Sequence, residues 1–326
     1  MTALAPTLQA FFTERQRRAS PHTVAAYRDT FRLLLEFTCQ QTGIAPARLD
    51  FADLGAPLIA AFLDHLEHQR GNSARTRNAR LAAIHSLFQF ASFRHPEHAA
   101  LIGRVLVIPS KRSDRTIVSF LNREEADALL AAPDRAGWTG RRDHALLAVA
   151  LQTGLRVSEL TGLRCQDVQL GAGAHVRCPG KGRKERCTPL TTLTAGVLRV
   201  WLRERDGHAT DPLFPTSRGR ALSRDAVALL VAKYAQIARQ HCPALRNKAV
   251  SPHVLRHSAA VGLLHAGVDT SVIALWLGHE TTRSTQIYVH ADLAIKERAL
   301  ARTTPAGTTP GRYRAPDALI AFLEGL

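Results

Sequence analysis

Thr153-Gly154-Leu155-Arg156-Val157-Ser158-Glu159-Leu160 is the stretch on which the reading of this 326-residue chain turns. The apolar run over 141–151 predicts a buried helix, and Gly154 breaks it. An arginine placed directly after that break sits at the end of an element, and Glu159, three residues on, is spaced to hold its guanidinium. An isolated Arg–Glu pair of this kind is usually an ordinary surface ion pair, so the surrounding chain has to decide.

Downstream, residues 168–190 change to short strand-like pieces, with turn residues at Gly171-Ala172-Gly173 and at Pro179-Gly180-Lys181-Gly182. The pattern predicts a small sheet with a hairpin, and Lys181 on the turn is a flexible cation able to reach into a groove. Helices return over 193–203, 223–241 and 253–266. His253 and Arg256 are three apart and share a face of the last of these. Trp276-Leu277-Gly278-His279 reads as a helix ending at a glycine, with His279 just past the stop. Nine residues further comes Tyr288. The chain has four tyrosines. Tyr27 lies on an apolar helical stripe, Tyr234 lies in a helix without phosphate-binding neighbours in sequence, and Tyr313 lies in a Gly/Pro-rich tail. Tyr288 is therefore the candidate nucleophile.

Upstream, Asn122-Arg123-Glu124-Glu125 opens a helix, and the first hundred or so residues are helical throughout. Ser20-Pro21 pairs a capping hydroxyl with a proline at the first helical position. Val24, Tyr27, Phe31, Leu34 and Leu35 follow at helical spacing. A second helix over 56–68 has Ile59, Phe62, Leu63 and Leu66 as its stripe, and a third after Gly71-Asn72-Ser73 turns Leu81, Ile84, Leu87 and Phe88 inward. Arg75, Arg77 and Arg80 at the start of that third helix are candidates to meet phosphates. The polar, basic stretch around Pro109-Ser110-Lys111-Arg112 reads as a linker. The expected organisation is a helical domain over 1–108, a linker over 109–118, a mixed domain over 119–302 and a tail over 303–326.

Composition narrows the partner. The chain carries 43 Lys+Arg against 27 Asp+Glu, a formal net charge of +16, and 37 of the basic residues are arginine. Residues 1–110 hold 12 basic and 8 acidic side chains, leaving a net +12 on the remainder. A pI near 10.7 is the electrostatic footprint of a phosphate-backbone binder. No apolar run reaches the ~20 residues a bilayer crossing needs, and the first residues do not have the form of a secretion signal. Five cysteines, with no Cys-x-x-Cys pair, argue against a disulfide framework and a zinc cluster and predict a reducing, cytoplasmic setting.

Taken together these motifs resemble the tyrosine recombinase/integrase family. Its order is Thr-Gly-Leu-Arg-x-x-Glu-Leu, a hairpin Gly-Lys-Gly-x-x-x-Arg, His-x-Leu-Arg-His, Leu-Gly-His, and a tyrosine about nine residues on. The chain presents Arg156, Lys181, His253, Arg256, His279 and Tyr288 in that order. The helical N-terminal segment, with Ser20-Pro21-His22-Thr23 and Tyr27, is similar to the family's core-binding domain. The resemblance implies a mainly α fold with a small β-sheet: a helical core-binding domain and a mixed α/β catalytic domain. The front end departs from the larger phage integrases, and no extra arm-site DNA-binding domain is expected before the core-binding one.

Elementary chemistry gives the arginines their part. A phosphodiester anion resists nucleophiles, and two guanidinium forks can bind its non-bridging oxygens where charge builds in the transition state. Arg156 and Arg256 are the expected clamp. The resemblance implies attack by Tyr288 to give a 3′-phosphotyrosine and a free 5′-hydroxyl. It makes His253 a base or phosphate ligand, His279 a phosphate donor and Lys181 the acid that protonates the leaving oxygen, with Glu159 orienting Arg156. No metal and no ATP are implied. Lys111, Arg112, Arg183 and Lys184 join Arg75, Arg77 and Arg80 as expected DNA contacts.

The implied partners are duplex DNA with inverted half-sites and further copies of the chain, as a dimer on one site and a tetramer in synapsis. Pro316 to Leu323, a short amphipathic helix after the Thr/Pro/Gly run over 303–311, is the expected link between protomers, with folding back onto its own domain as the alternative. Integration, excision or transposition of an element is the expected use. A relaxing enzyme of the type IB topoisomerase kind and a non-catalytic recombination factor are the other readings.

Overall fold

The computed structural model describes residues 4–112, 118–179, 185–279, 285 and 288. The chain divides into two compact units, Met1–Arg115 and Thr116–Leu326.

The first unit is helical: α1 (Leu4–Arg18), α2 (Pro21–Thr42), α3 (Ala56–His68), α4 (Ala74–Ser92) and α5 (Ala99–Leu106). Ser20 caps α2 by accepting from the Thr23 amide, with Pro21 at the first helical position, and Ser73 caps α4 through Thr76 in the same way. Phe31 and Leu34 of α2, the four-residue stripe of α3 and Leu81, Ile84, Leu87 and Phe88 of α4 are all buried in one core. Tyr27 is half-buried, its ring stacked on Phe11 of α1 at 6.1 Å. Two helices went unread in the sequence. Leu4 and Phe11 of α1 and Ile102 and Val105 of α5 also belong to this core.

The second unit begins with α6 (Arg123–Ala131), started by a capping box between Asn122 and Glu125. There follow α7 (Trp138–Thr153) and α8 (Val157–Gly162), then β1 (Val168–Gln169), β2 (His175–Pro179) and β3 (Glu185–Pro189), then α9 (Thr192–Arg205), α10 (Arg224–His241), α11 (Pro252–His265) and α12 (Thr270–Leu277). The strands form one antiparallel sheet in the order β1-β2-β3, with Val176 opposite both Val168 and Thr188. α7 is buried along most of its length, which is why its sequence is apolar without a clear stripe. It starts three residues earlier than expected, at Trp138, because Trp138 packs against Trp201 of α9. A second apolar cluster, with Ala260, Val261, Ile273, Leu277 and Tyr288, joins α11 to α12.

Candidate active site

The site is built where α7, α11 and α12 end or cross. Gly154 closes α7 in the left-handed region, φ 63°, and a Cβ there would lie 2.7 Å from Leu277 and 3.1 Å from Ala259. Glycine therefore serves both the turn and the close approach of α11 and α12. Trp276 ties the same corner together by donating its Nε1 hydrogen to the Thr153 carbonyl at 3.1 Å. Gly278 ends α12 in the left-handed region as well, φ 65°.

Both predicted clamp arginines are fastened to this corner. Arg256, 4% exposed, donates Nη1 to the Gly154 carbonyl at 2.6 Å and Nη2 to the Leu277 carbonyl at 2.8 Å. Arg156 donates Nη2 to the Gly278 carbonyl at 2.8 Å and Nη1 to Glu159 at 2.9 Å. Glu159 also accepts from the Arg156 amide at 2.7 Å, so it starts α8 and holds the guanidinium with one carboxylate. Burial acts to raise the Glu159 carboxyl, yet hydrogen bonds from Arg186 and from the Arg156 amide, with both guanidinium charges, hold it below the usual carboxylate range. Arg256 is pushed down to about 10 by burial and then by the charge of Arg156, which leaves it protonated at neutral pH.

Tyr288 is buried in the same corner. Its hydroxyl lies 3.1 Å from Nδ1 of His257, and its ring faces that of His279, nearly parallel at 6.3 Å. Burial raises the Tyr288 phenol, while the nearby charges of Arg256 and Arg156 pull it the other way. His257 is pushed down to about 4 by burial, then by the charges of His253 and Arg256. It is thus neutral at physiological pH and Nδ1 can accept the phenolic hydrogen. His279 is likewise pushed down to about 4, first by burial and then by Arg256 and Arg156. Its Nδ1 lies 2.8 Å from the Thr285 hydroxyl, which leaves Nε2 uncommitted by that contact.

The predicted residues do not all converge. His253 is exposed on α11, its ring 5.6 Å from that of His257 and not on the tyrosine hydroxyl. Lys181, Arg183 and Lys184 lie outside the described residues, as do Tyr313 and the expected C-terminal helix. In the first unit, Arg75 and Arg112 are exposed. Arg77 and Arg80 are half-buried, the first 3.9 Å from Glu67 and the second 3.4 Å from the Thr30 hydroxyl. Lys111 Nζ is 2.5 Å from Glu67. Two side chains that sequence reasoning passed over, His257 and Arg186, touch the site. Arg186 on β3 donates Nη1 and Nη2 to the two oxygens of Glu159, at 3.0 and 2.8 Å. It closes the Gly-Lys-Gly-x-x-x-Arg motif, and that position was the available signal. Among the described residues no group of His, Cys, Asp or Glu gathers as around a metal ion, and no helix is long and apolar enough to cross a membrane.

The phage integrase family matches residues 119–294, and the phage integrase N-terminal SAM-like domain matches residues 9–95. The chain belongs to the phage integrase family of tyrosine recombinases. A Sinorhizobium fredii protein named as an integrase/recombinase, y4rC, is 55% identical over 99% of this chain and 98% of its own length. Tyrosine recombinase XerC of Pelobacter propionicus is 34% identical, covering 95% of this chain and 99% of that one. Among solved structures, the XerH recombinase bound to a palindromic difH substrate after cleavage has a TM-score of 0.71 at 23% identity, over 89% of this chain and 82% of that one. The fold is therefore that of a tyrosine recombinase, with an N-terminal SAM-like domain and a C-terminal catalytic domain. The activity class is that of the family: site-specific cutting and rejoining of DNA.

Proposed function

We propose that this recombinase cuts each strand through Tyr288, with Arg156 and Arg256 clamping the scissile phosphate. The observation that carries the reading is that the two guanidiniums are anchored in one corner, on the adjacent carbonyls of Leu277 and Gly278. Residues 102 and 122 positions apart in the chain meet through the Gly154, Leu277 and Gly278 carbonyls, on the turn that leads to His279. Fixed donors of this kind act on charge that develops in the transition state, and removing one costs roughly 10²–10³ in rate. Tyr288 attacks the phosphorus, the 5′ oxygen leaves, and the phosphotyrosyl ester keeps the bond energy for religation. Lys181 supplies the proton to the leaving oxygen. His279 donates to a phosphate oxygen, and His253 serves as base or phosphate ligand. Arg75, Lys111, Arg112, Arg183 and Lys184 follow the DNA backbone, with Arg77 and Arg80 beside them. The domain functions follow: core binding over 1–108, a linker over 109–118, catalysis over 119–302, and a tail over 303–326 whose helix joins protomers into a dimer on one site and a tetramer in synapsis. Integration, excision or transposition of a mobile element is the use proposed here.

The test is a nicked suicide duplex carrying a full site. Wild-type protein is expected to accumulate a covalent adduct on the 3′ phosphate, in EDTA as in buffer, and Tyr288→Phe none. An adduct formed by Tyr288→Phe would remove the nucleophile from the scheme, and a strict Mg²⁺ requirement would remove the two-arginine account of charge neutralisation.

A further inference from the structure

Glu159 carries more hydrogen bonds than holding Arg156 requires. Each of its oxygens accepts one bond from Arg156 and one from Arg186: Oε1 from the two Nη1 atoms, at 2.9 and 3.0 Å, and Oε2 from the Arg156 amide and Arg186 Nη2, at 2.7 and 2.8 Å. The two arginines differ in access. The Arg156 side chain is 37% exposed, whereas those of Arg186 and Glu159 are 12% and 9% exposed. Arg186 has both Nη atoms committed to the carboxylate, and its Nε is buried with no partner among the described residues. It is therefore not placed to bind a phosphate itself. Its guanidinium also lies directly against the α-carbon of Gly278, where any Cβ would collide with it. Arg186 thus touches both anchors of Arg156: the carboxylate on Nη1 and the turn whose carbonyl takes Nη2.

The charge balance gives this arrangement a consequence. A single Arg–Glu pair is neutral, and a neutral pair attracts an anion weakly. Two guanidiniums on one carboxylate leave a net positive charge, and Arg156 is the one of them that solvent can reach. We propose that Arg186 is a positioning residue for the recombination reaction: it neutralises Glu159, so that Glu159 orients Arg156 without cancelling its charge. The inference rests on the reading of Arg156 as part of the phosphate clamp.

The experiment measures single-turnover adduct formation on the nicked duplex, with thermal melting of each variant beside it. R186Q is expected to lose on the order of ten- to a hundredfold in rate, the scale of a lost transition-state charge interaction. R186K, which keeps the charge, should lose less. The deciding variant is E159Q/R186Q, which removes the carboxylate charge as well and should react faster than R186Q. A merely structural role for Arg186 predicts the reverse, because the double variant loses more of the network. R186Q reacting as wild type overturns the proposal, and so does a double variant no faster than R186Q. Should R186Q fail to fold, the double variant decides against wild type, since both leave the same net charge around Arg156: a folded double variant within about tenfold of wild type supports the proposal, and a folded double variant far slower than that overturns it. R156Q separates the two levels. If R156Q reacts as wild type, the clamp reading fails; if R156Q is crippled and R186Q is not, only the role of Arg186 fails.

Discussion

Tyr234 and Tyr288 are buried to the same depth, 3% and 2% exposed, but Tyr234 bonds a carboxylate within an ion pair and Tyr288 lies near unshared guanidinium charge. Tyr234 donates its hydroxyl to the Asp143 carboxylate at 2.8 Å, and Asp143 is paired with Arg142. Burial and that carboxylate both push the Tyr234 phenol upward. Tyr288 meets an uncharged imidazole and two guanidinium charges that oppose the effect of burial. Burial alone therefore does not distinguish the two tyrosines; their neighbours do. An anion beside a phenol makes phenolate costly and would repel a phosphodiester, whereas cations favour both. On the proposed reading, one fold uses a buried tyrosine as a structural strut in one corner and as a reactive group in the other.

The largest effect expected from breaking this comparison is on the covalent step. Tyr288→Phe should abolish adduct formation and leave duplex binding, read by gel shift, close to wild type, since no charge is lost. Tyr234→Phe should leave adduct formation intact but lower stability by about 1.5–3 kcal/mol, the scale of a buried hydrogen bond to a charged group, measured by chemical denaturation. Loss of the adduct in a well-folded Tyr234→Phe variant would contradict the division of roles.

The arginines of the two corners offer a smaller contrast. Arg142 bonds Asp143 at 2.8 Å and the Pro215 carbonyl at 2.8 Å, whereas among the described residues Arg256 bonds carbonyls and no carboxylate. Arg256→Lys keeps the charge but loses the fork, and should slow adduct formation on the order of a hundredfold. Arg142→Lys should instead cost stability, about 1–3 kcal/mol, with little change in the rate of cleavage. Equal effects of the two changes on the rate would show that the Asp143 corner takes part in the chemistry.

Much of the site was legible in the sequence because its signals are local. Gly154 and Gly278 announce helix ends, and Arg156 and His279 stand beside them. His253 and Arg256 sit one helical turn apart. What the sequence did not disclose depends on contacts between distant segments. His257 closes the His-x-Leu-Arg-His motif, but its contact with the Tyr288 hydroxyl appears only when that residue returns to α11. Arg186 is marked in the sequence only as the last position of the hairpin motif, and what it does appears when β3 is seen against Glu159. The same limit explains Arg77 and Arg80, which look like a basic helix start, yet the second lies half-buried beside Thr30 of α2. In the fold, α3 and α4 were readable from their stripes. α1, α5 and α8 were passed over, α8 because six residues are too few for a period to emerge.

The smallest expected effect separates the two corners by pH. Unfolded histidine titrates near 6.5, whereas His257 and His279 in the fold are pushed down to about 4. Above pH 6.5 neither state holds these protons, and below about 4 both do. Between those limits the unfolded chain binds more protons, so stability must fall as pH falls. His144 on α7 is lowered by burial and adds in the same direction. Glu159, held low, contributes stability that is lost only at still lower pH, as the solution falls through its folded value. The phenols respond at the other end, with Tyr288 raised by its burial and the Tyr234 corner raised further. Its phenol stays protonated in the fold while the unfolded one ionises near 10, so its contribution is lost as pH rises above that value. His257→Gln should therefore flatten the stability profile between pH 6.5 and 4 and leave the alkaline limb as it was. Tyr234→Phe should do the opposite, altering only the alkaline limb. Denaturation curves collected across both windows measure each slope. An acid slope unchanged in His257→Gln would mean that the fold does not lower this imidazole.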